Sequence, residues 1–315
     1  PPMPAHPDWP ALPYPAWRET CETLQLMTQI VGKVRLSLTP WLNHSWHVPL
    51  YVSARGLTTS LIPHGGQGLD IEFDFIDQAL WLRASDGGMQ AIPLKPTSIA
   101  DFYAQVLAAL DALDMPATIH AAPNELPVAT PFAEDVAPRA YDGEAAQRFW
   151  RALVQVSRVL GEFRTGFLGK SSPVHFFWGS FDLAVTRFSG RPAPPHPGGV
   201  PHLPDAVARE AYSHEVSSAG FWPGGGAIDY PAFYAYAYPE PPGFRDAPVA
   251  PEAAGFNAAL GEFILPYDAV REAADPDQAL LAFLRSTYTA AADNGSWDRK
   301  ALECQLGRPG TPRAV

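Results

Sequence analysis

The chain has 315 residues, 35 of them proline, and a formal net charge of -11. That length can bury a sizeable core, and 47% hydrophobic against 17% charged residues excludes a disordered chain. An acidic chain offers no electrostatic footprint to a phosphate backbone, so nucleic acid is not an expected partner.

Cys21 and Cys304 stand near opposite ends with no CxxC pair, which argues against a disulfide framework or a cysteine zinc site and for a reducing, cytoplasmic setting. Residues 1–15 are Pro-rich and lack the apolar core of a signal peptide. No apolar run approaches the roughly 20 residues of a membrane helix, so no membrane partner is expected.

The first predicted helix runs from about Ala16 to Val31, with Trp17, Cys21, Leu24, Met27 and Val31 on one face and Gly32 as its stop. Val34 to Leu38 and Trp46 to Ala54 read as strands, and Pro63-His64-Gly65-Gly66 as a turn. Leu69 to Ile76 alternates apolar Leu69, Ile71, Phe73 and Phe75 with acidic Asp70, Glu72 and Asp74, the pattern of a half-buried strand. Ser85-Asp86-Gly87-Gly88 joins Ala79–Arg83 and Met89–Leu94 as a hairpin. Ser98 caps a helix that carries Ile99, Phe102, Val106, Leu110 and Leu113 as a stripe. Residues 116–142 are rich in Pro and Ala and read as a linker.

The same order then restarts. A helix from about Gly143 to Leu168 carries Phe149, Leu153, Val156, Leu160, Phe163 and Phe167 on one face. Strands follow near His175, His214–Ser218, Phe233–Tyr238 and Glu262–Leu265, and Asp275-Pro276 opens a last helix. Landmarks recur between the halves: Gly32-Lys33 and Gly169-Lys170, a Pro-His turn at 63–66 and 195–199, and Glu72 and Glu215 on comparable strands. The expected fold is α+β, two degenerate helix–antiparallel sheet–helix units (16–115 and 143–297) packed as a pseudo-dimer. Residues 298–315 form a tail.

Four runs carry a family resemblance: QIVGKVRL at 29–36, HVPLYVSARGLTTS at 47–60, SPVHFFWGSFDLAVTRFSG at 172–190 and YSHEVSSAGFWPGGG at 212–226. In these the chain resembles an uncharacterised bacterial family, catalogued as domain of unknown function 5996, over roughly Trp17 to Trp297. The resemblance implies a single bacterial domain and brings no activity, cofactor or catalytic residue with it.

Polar and aromatic residues are densest from His175 to Gly226. If Val174 to Arg187 is one extended strand, His175 faces away from Ser180 and Asp182 unless Gly179 supplies a bulge. His175, His196, His214 and Glu215 are ligand types suited to a divalent metal, with His44 and His47 available from the first half, although neighbours on a strand point apart. Without metal, the same histidines with Glu215 or Asp182 as orienting carboxylate make an acid–base site. Ser180, Ser217 and Ser218 lack the Gly-x-Ser-x-Gly setting of a nucleophile. Gly224-Gly225-Gly226 does not open a helix, so it signals a tight loop rather than phosphate binding.

The expected function is a small-molecule-binding enzyme with its cleft at the junction of the halves. His175, Asp182, His214 and Glu215 are the catalytic candidates. Arg187 is the candidate anion contact, Trp178 and Trp222 are walls, and His44, His47 and His196 are supporting ligand contacts. The alternatives are a non-catalytic ligand-binding or sensor protein and a structural or interaction module.

Overall fold

The structure, a computed structural model, describes residues 8–313. The first helix, α1 (Tyr14–Leu38), is longer than its periodicity suggests, because Gly32 does not end it. Gly32 lies inside the helix where a Cβ would overlap the indole of Trp178. The glycine is there for close approach rather than for a left-handed cap. Val34 to Leu38, expected as a strand, therefore completes the helix. A 3-10 turn at Asn43–Ser45 follows, with His44 at φ 59° and Ser45 at φ 58°. The strand expected from Trp46 shrinks to β1 (Tyr51–Val52).

Five more strands complete the first sheet: β2 (Gly56–Thr58), β3 (Ile62–His64), β4 (Gln67–Asp74), β5 (Ala79–Ala84) and β6 (Met89–Pro93). Their order is β1-β2-β4-β5-β6, with β3 also pairing β4, and every pairing is antiparallel. The alternation of β4 is realised: Leu69, Ile71, Phe73 and Phe75 are fully buried. Helix α2 (Ile99–Ala112) begins at Ser98, whose side chain accepts from the amide of Asp101.

In the second half α3 (Gly143–Thr165) is capped by Asp142, which accepts from the amides of Glu144 and Ala145. Replacing Asp142 with alanine removes the acceptor for two otherwise free helix N–H groups, and is expected to cost about 1 kcal/mol in urea unfolding. A cost near zero would mean that water replaces the cap.

The second sheet has six strands, in the order β11-β12-β10-β9-β8-β7. They are β7 (His175–Phe177), β8 (Asp182–Pro192), β9 (His214–Trp222), β10 (Ala232–Tyr238), β11 (Gly255–Asn257) and β12 (Glu262–Pro266). Between β8 and β9 lies α4 (Asp205–Ala211), and after β12 come α5 (Tyr267–Arg271), α6 (Pro276–Asn294) and α7 (Arg299–Leu302). Asp275 caps α6, with Pro276 in its first turn. The stretch expected as one strand from Val174 is a hairpin, turning through Trp178–Phe181 with Phe181 at φ 61°.

The two sheets meet edge to edge. Leu50 and Phe176 exchange both backbone hydrogen bonds, at 2.8 and 2.7 Å. One continuous core runs through both halves, with Trp17 of α1 packed on Phe149 of α3 at 5.1 Å. Residues 116–142 lie against the body of the protein. Phe132 and Tyr141 are buried, and Gln29 of α1 holds Asn124 by two hydrogen bonds to its backbone. No helix among the described residues is long and apolar enough to cross a membrane.

Candidate functional site

Side chains alternate along a strand, so the register of the second sheet sorts its residues into two faces. One face carries His175, Asp182, Thr186, Ser218, Trp222, Tyr234, Tyr236 and Glu262. The other carries Phe176, Arg187, Phe221, Phe233 and Phe263 and packs on α3 and α6. Pairing of His175 with Ala184 and of Phe177 with Asp182 puts His175 and Asp182 on the same face, a consequence of the hairpin.

Asp182 lies at the centre of the polar face. It is 8% exposed, accepts from Ser180 Oγ at 2.5 Å through Oδ1, and accepts from the Tyr234 hydroxyl through Oδ2. Tyr234 reaches it across Gly220, where a Cβ would meet the Tyr234 hydroxyl and the Leu183 carbonyl. Glu125 comes from the segment between the halves. Its Oε2 would lie 2.6 Å from a Cβ on Gly179, so the carboxylate sits directly over that glycine. Glu125 is held at φ 62°, left-handed backbone that a non-glycine residue adopts at a cost, and its amide donates to the Pro201 carbonyl. Strain of this kind concentrates at functional sites.

The electrostatics follow from this crowding. Burial, and then the charge of Asp182, push Glu125 up to about 7. The same two causes push Glu262 up to about 7. Asp182 is itself raised by burial, against the lowering effect of its two hydroxyl donors. The cation nearest this group is Lys33 of α1, 2% exposed and lowered to about 8 by burial, with Glu125 opposing that shift. Its ammonium donates to Asn124 Oδ1, lies 3.5 Å from His120 Nδ1, and sits 5.7 Å from the Trp178 ring. Beyond Asp182 the face continues as aromatic wall: the Tyr212 and Tyr236 hydroxyls are 2.9 Å apart, and His196 stacks on Tyr212 at 4.9 Å.

The sequence-expected residues disperse over this geometry. Asp182, Trp178 and Trp222 belong to the polar face or its border, and His196 to the tyrosine wall. His175 shares the face but is 1% exposed. Burial and the Arg35 charge lower it to about 3, so it stays neutral and is a poor general base near neutrality. His47 is 2% exposed and accepts the Leu42 amide on Nδ1.

Arg187 points into the opposite face, 3.6 Å from the Phe163 ring centroid, and donates to the Phe163 carbonyl at 2.5 Å. Desolvation there lowers it to about 10, and it cannot act as an anion contact for Asp182's side of the sheet. Glu215 also leaves the site. It is bonded by Ser189 and Arg191 and lines a separate cavity of about 270 Å³ with Tyr238, Glu240, Asn294 and Trp297. The metal set His175, His196, His214 and Glu215 is thus not assembled. Among the described residues no three His, Cys, Asp or Glu side chains are placed to hold a metal ion.

Sequence reasoning missed Glu125 and Glu262 and used Lys33 only as a landmark of the repeat. The usable signals were faint: an unpaired Lys beside a glycine in an apolar helix, and the alternating tyrosines of β10.

Fold and site together define an α+β protein with a buried carboxylate–tyrosine–lysine centre on one sheet face. Residues 9–304 match the family of unknown function DUF5996, and the chain belongs to that family. No curated protein and no solved structure matches it.

Proposed function

We propose that the protein is an enzyme acting on a polar small molecule by proton transfer, with Glu125 and Lys33 as the groups that exchange the proton and Asp182 and Tyr234 as the groups that orient the substrate. One observation carries the reading: two glutamates and a lysine in one crowded patch are shifted to about 7, 7 and 8. Burial alone perturbs single groups. Several groups of opposite charge type moved toward neutrality around one strained loop residue is the arrangement acid–base chemistry needs. Near pH 7 Glu125 is about half protonated, so it can give or take a proton at little cost. Lys33 keeps a neutral fraction, and its hydrogen bond to Asn124 fixes its direction. Asp182 of β8 and Tyr234 of β10 form an acceptor–donor pair across the intervening β9. The tyrosine wall supplies apolar surface for the rest of a ligand.

The test is a metabolite-extract incubation followed by mass spectrometry. Wild-type protein is expected to consume a compound that Glu125→Gln consumes at least ~100-fold more slowly. Binding of that compound should survive in Glu125→Gln and weaken in Asp182→Asn. A compound that binds both variants as well as wild type and is never consumed would replace this reading with ligand binding without catalysis.

A further inference from the structure

At the other end of the same sheet face, away from Asp182, a second lysine meets a second histidine. Lys170 Nζ lies 2.5 Å from His44 Nε2. The tautomer of His44 is fixed by its other nitrogen, which faces two backbone carbonyls, Glu210 at 3.1 Å and Ala211 at 3.2 Å. A carbonyl can only accept, so the proton is on Nδ1 and Nε2 presents a lone pair to Lys170. The ammonium is flanked by rings rather than carboxylates: Trp46 at 5.4 Å and Phe188 at 4.8 Å. Further titratable neighbours are His214, whose ring is 6.2 Å from that of His44, and Glu210, whose carboxylate accepts from the Trp41 indole N–H at 2.8 Å. Despite these contacts Lys170 remains solvent-exposed. Nucleophile, base and an orienting group behind the base are the three parts of an activated nucleophile.

We propose that Lys170 is an amine nucleophile, with His44 as its base, that forms an imine with an aldehyde or ketone. The Nζ lone pair attacks the carbonyl carbon while the C=O π pair moves to oxygen. His44 Nε2 carries one amine proton to that oxygen, giving a carbinolamine. The hydroxyl then leaves as water, taking the second amine proton by way of His44, while the nitrogen pair closes the C=N bond. Nothing is oxidised or reduced, and water is the only other product. The flanking Trp46 and Phe188 rings favour a carbonyl compound with an apolar or aromatic body. Burial lowers the pKa of Lys170, and burial followed by the Lys170 charge lowers that of His44. This site does not depend on the Glu125 centre.

The chain has four lysines, Lys33, Lys95, Lys170 and Lys300, so each can be followed separately. The full chain is incubated with benzaldehyde and cyanoborohydride, which reduces any imine to a stable benzylamine, and peptides are mapped by mass spectrometry over time. At pH 7 Lys170 is expected to be labelled several-fold faster than exposed Lys95 and Lys300, because His44 takes up the amine proton as the carbonyl is attacked. His44→Gln should bring it down to their rate. Because His44→Gln could also disturb the fold, the pH profile of labelling in wild type gives a second readout, with Lys170 reaching half its maximal rate at lower pH than Lys95. Equal rates for Lys170, Lys95 and Lys300, or fast labelling of Lys170 that persists in folded His44→Gln, would overturn the proposal.

Discussion

Gly32→Ala is expected to destabilise the protein by about 3 kcal/mol, although alanine is the better helix former by about 1 kcal/mol. The reason is Trp178. Its indole fills the space a Cβ at position 32 would take, is 7% exposed, and is tied by Nε1 to the Val48 carbonyl at 2.8 Å. The ring cannot withdraw without breaking that bond, and the carbonyl it serves adjoins the Leu50–Phe176 bridge that joins the two sheets. Urea unfolding of Gly32→Ala, Trp178→Leu and the double variant would measure the coupling. The double variant should recover at least ~1 kcal/mol of the sum of the single losses, because the smaller leucine leaves room for the methyl group. Gly32→Ala as stable as wild type would show that the contact is loose and that Gly32 has no packing role.

The same glycine shows why the sequence is legible only in part. Gly after an apolar stripe is a common helix stop, and periodicity cannot tell that use from close approach to a residue far along the chain. Elements whose signal is local emerge from the sequence as they stand in the fold: the alternation of β4, the Ser98 and Asp275 caps and the buried stripe of α3. The site does not, because nothing local joins Lys33, Glu125, Asp182, Tyr234 and Glu262. Glu125 was hidden in a Pro- and Ala-rich segment that composition marks as a linker, and its role comes from lying over Gly179, a long-range fact. Histidines drew attention for their chemistry, yet burial decides what they can do. His175 is locked neutral, while His44 acquires a lysine from the other half. Arg187 and Asp182 are five positions apart on one strand, so they face opposite ways. That parity was readable once the strand's start was known, and the hairpin at Trp178–Phe181 fixed the start.

Replacing both Glu125 and Glu262 with glutamine is expected to stabilise the protein at pH 8 and to leave it nearly unchanged at pH 4.5. Each glutamate is raised from 4.5 to about 7 on folding. Between those values the native state therefore binds more protons than the unfolded chain, and stability falls as pH rises. The loss begins near pH 4.5 and is complete above about pH 7. Two shifts of this size correspond to several kcal/mol for the pair, an upper range because the two groups share Asp182 as a cause. Glutamine carries no charge at any of these pH values, so the gap between variant and wild type should open as pH increases. His175 works in the opposite sense. Its native pKa is depressed to about 3, so its contribution is complete above about pH 6.5 and is lost as pH falls. That term is the same in wild type and variant and cancels in the difference. Urea unfolding at intervals from pH 4.5 to 8 would give the curve directly. A gap that is constant with pH would mean that the glutamates titrate as in the unfolded chain, and the crowded centre around Asp182 would lose its electrostatic basis.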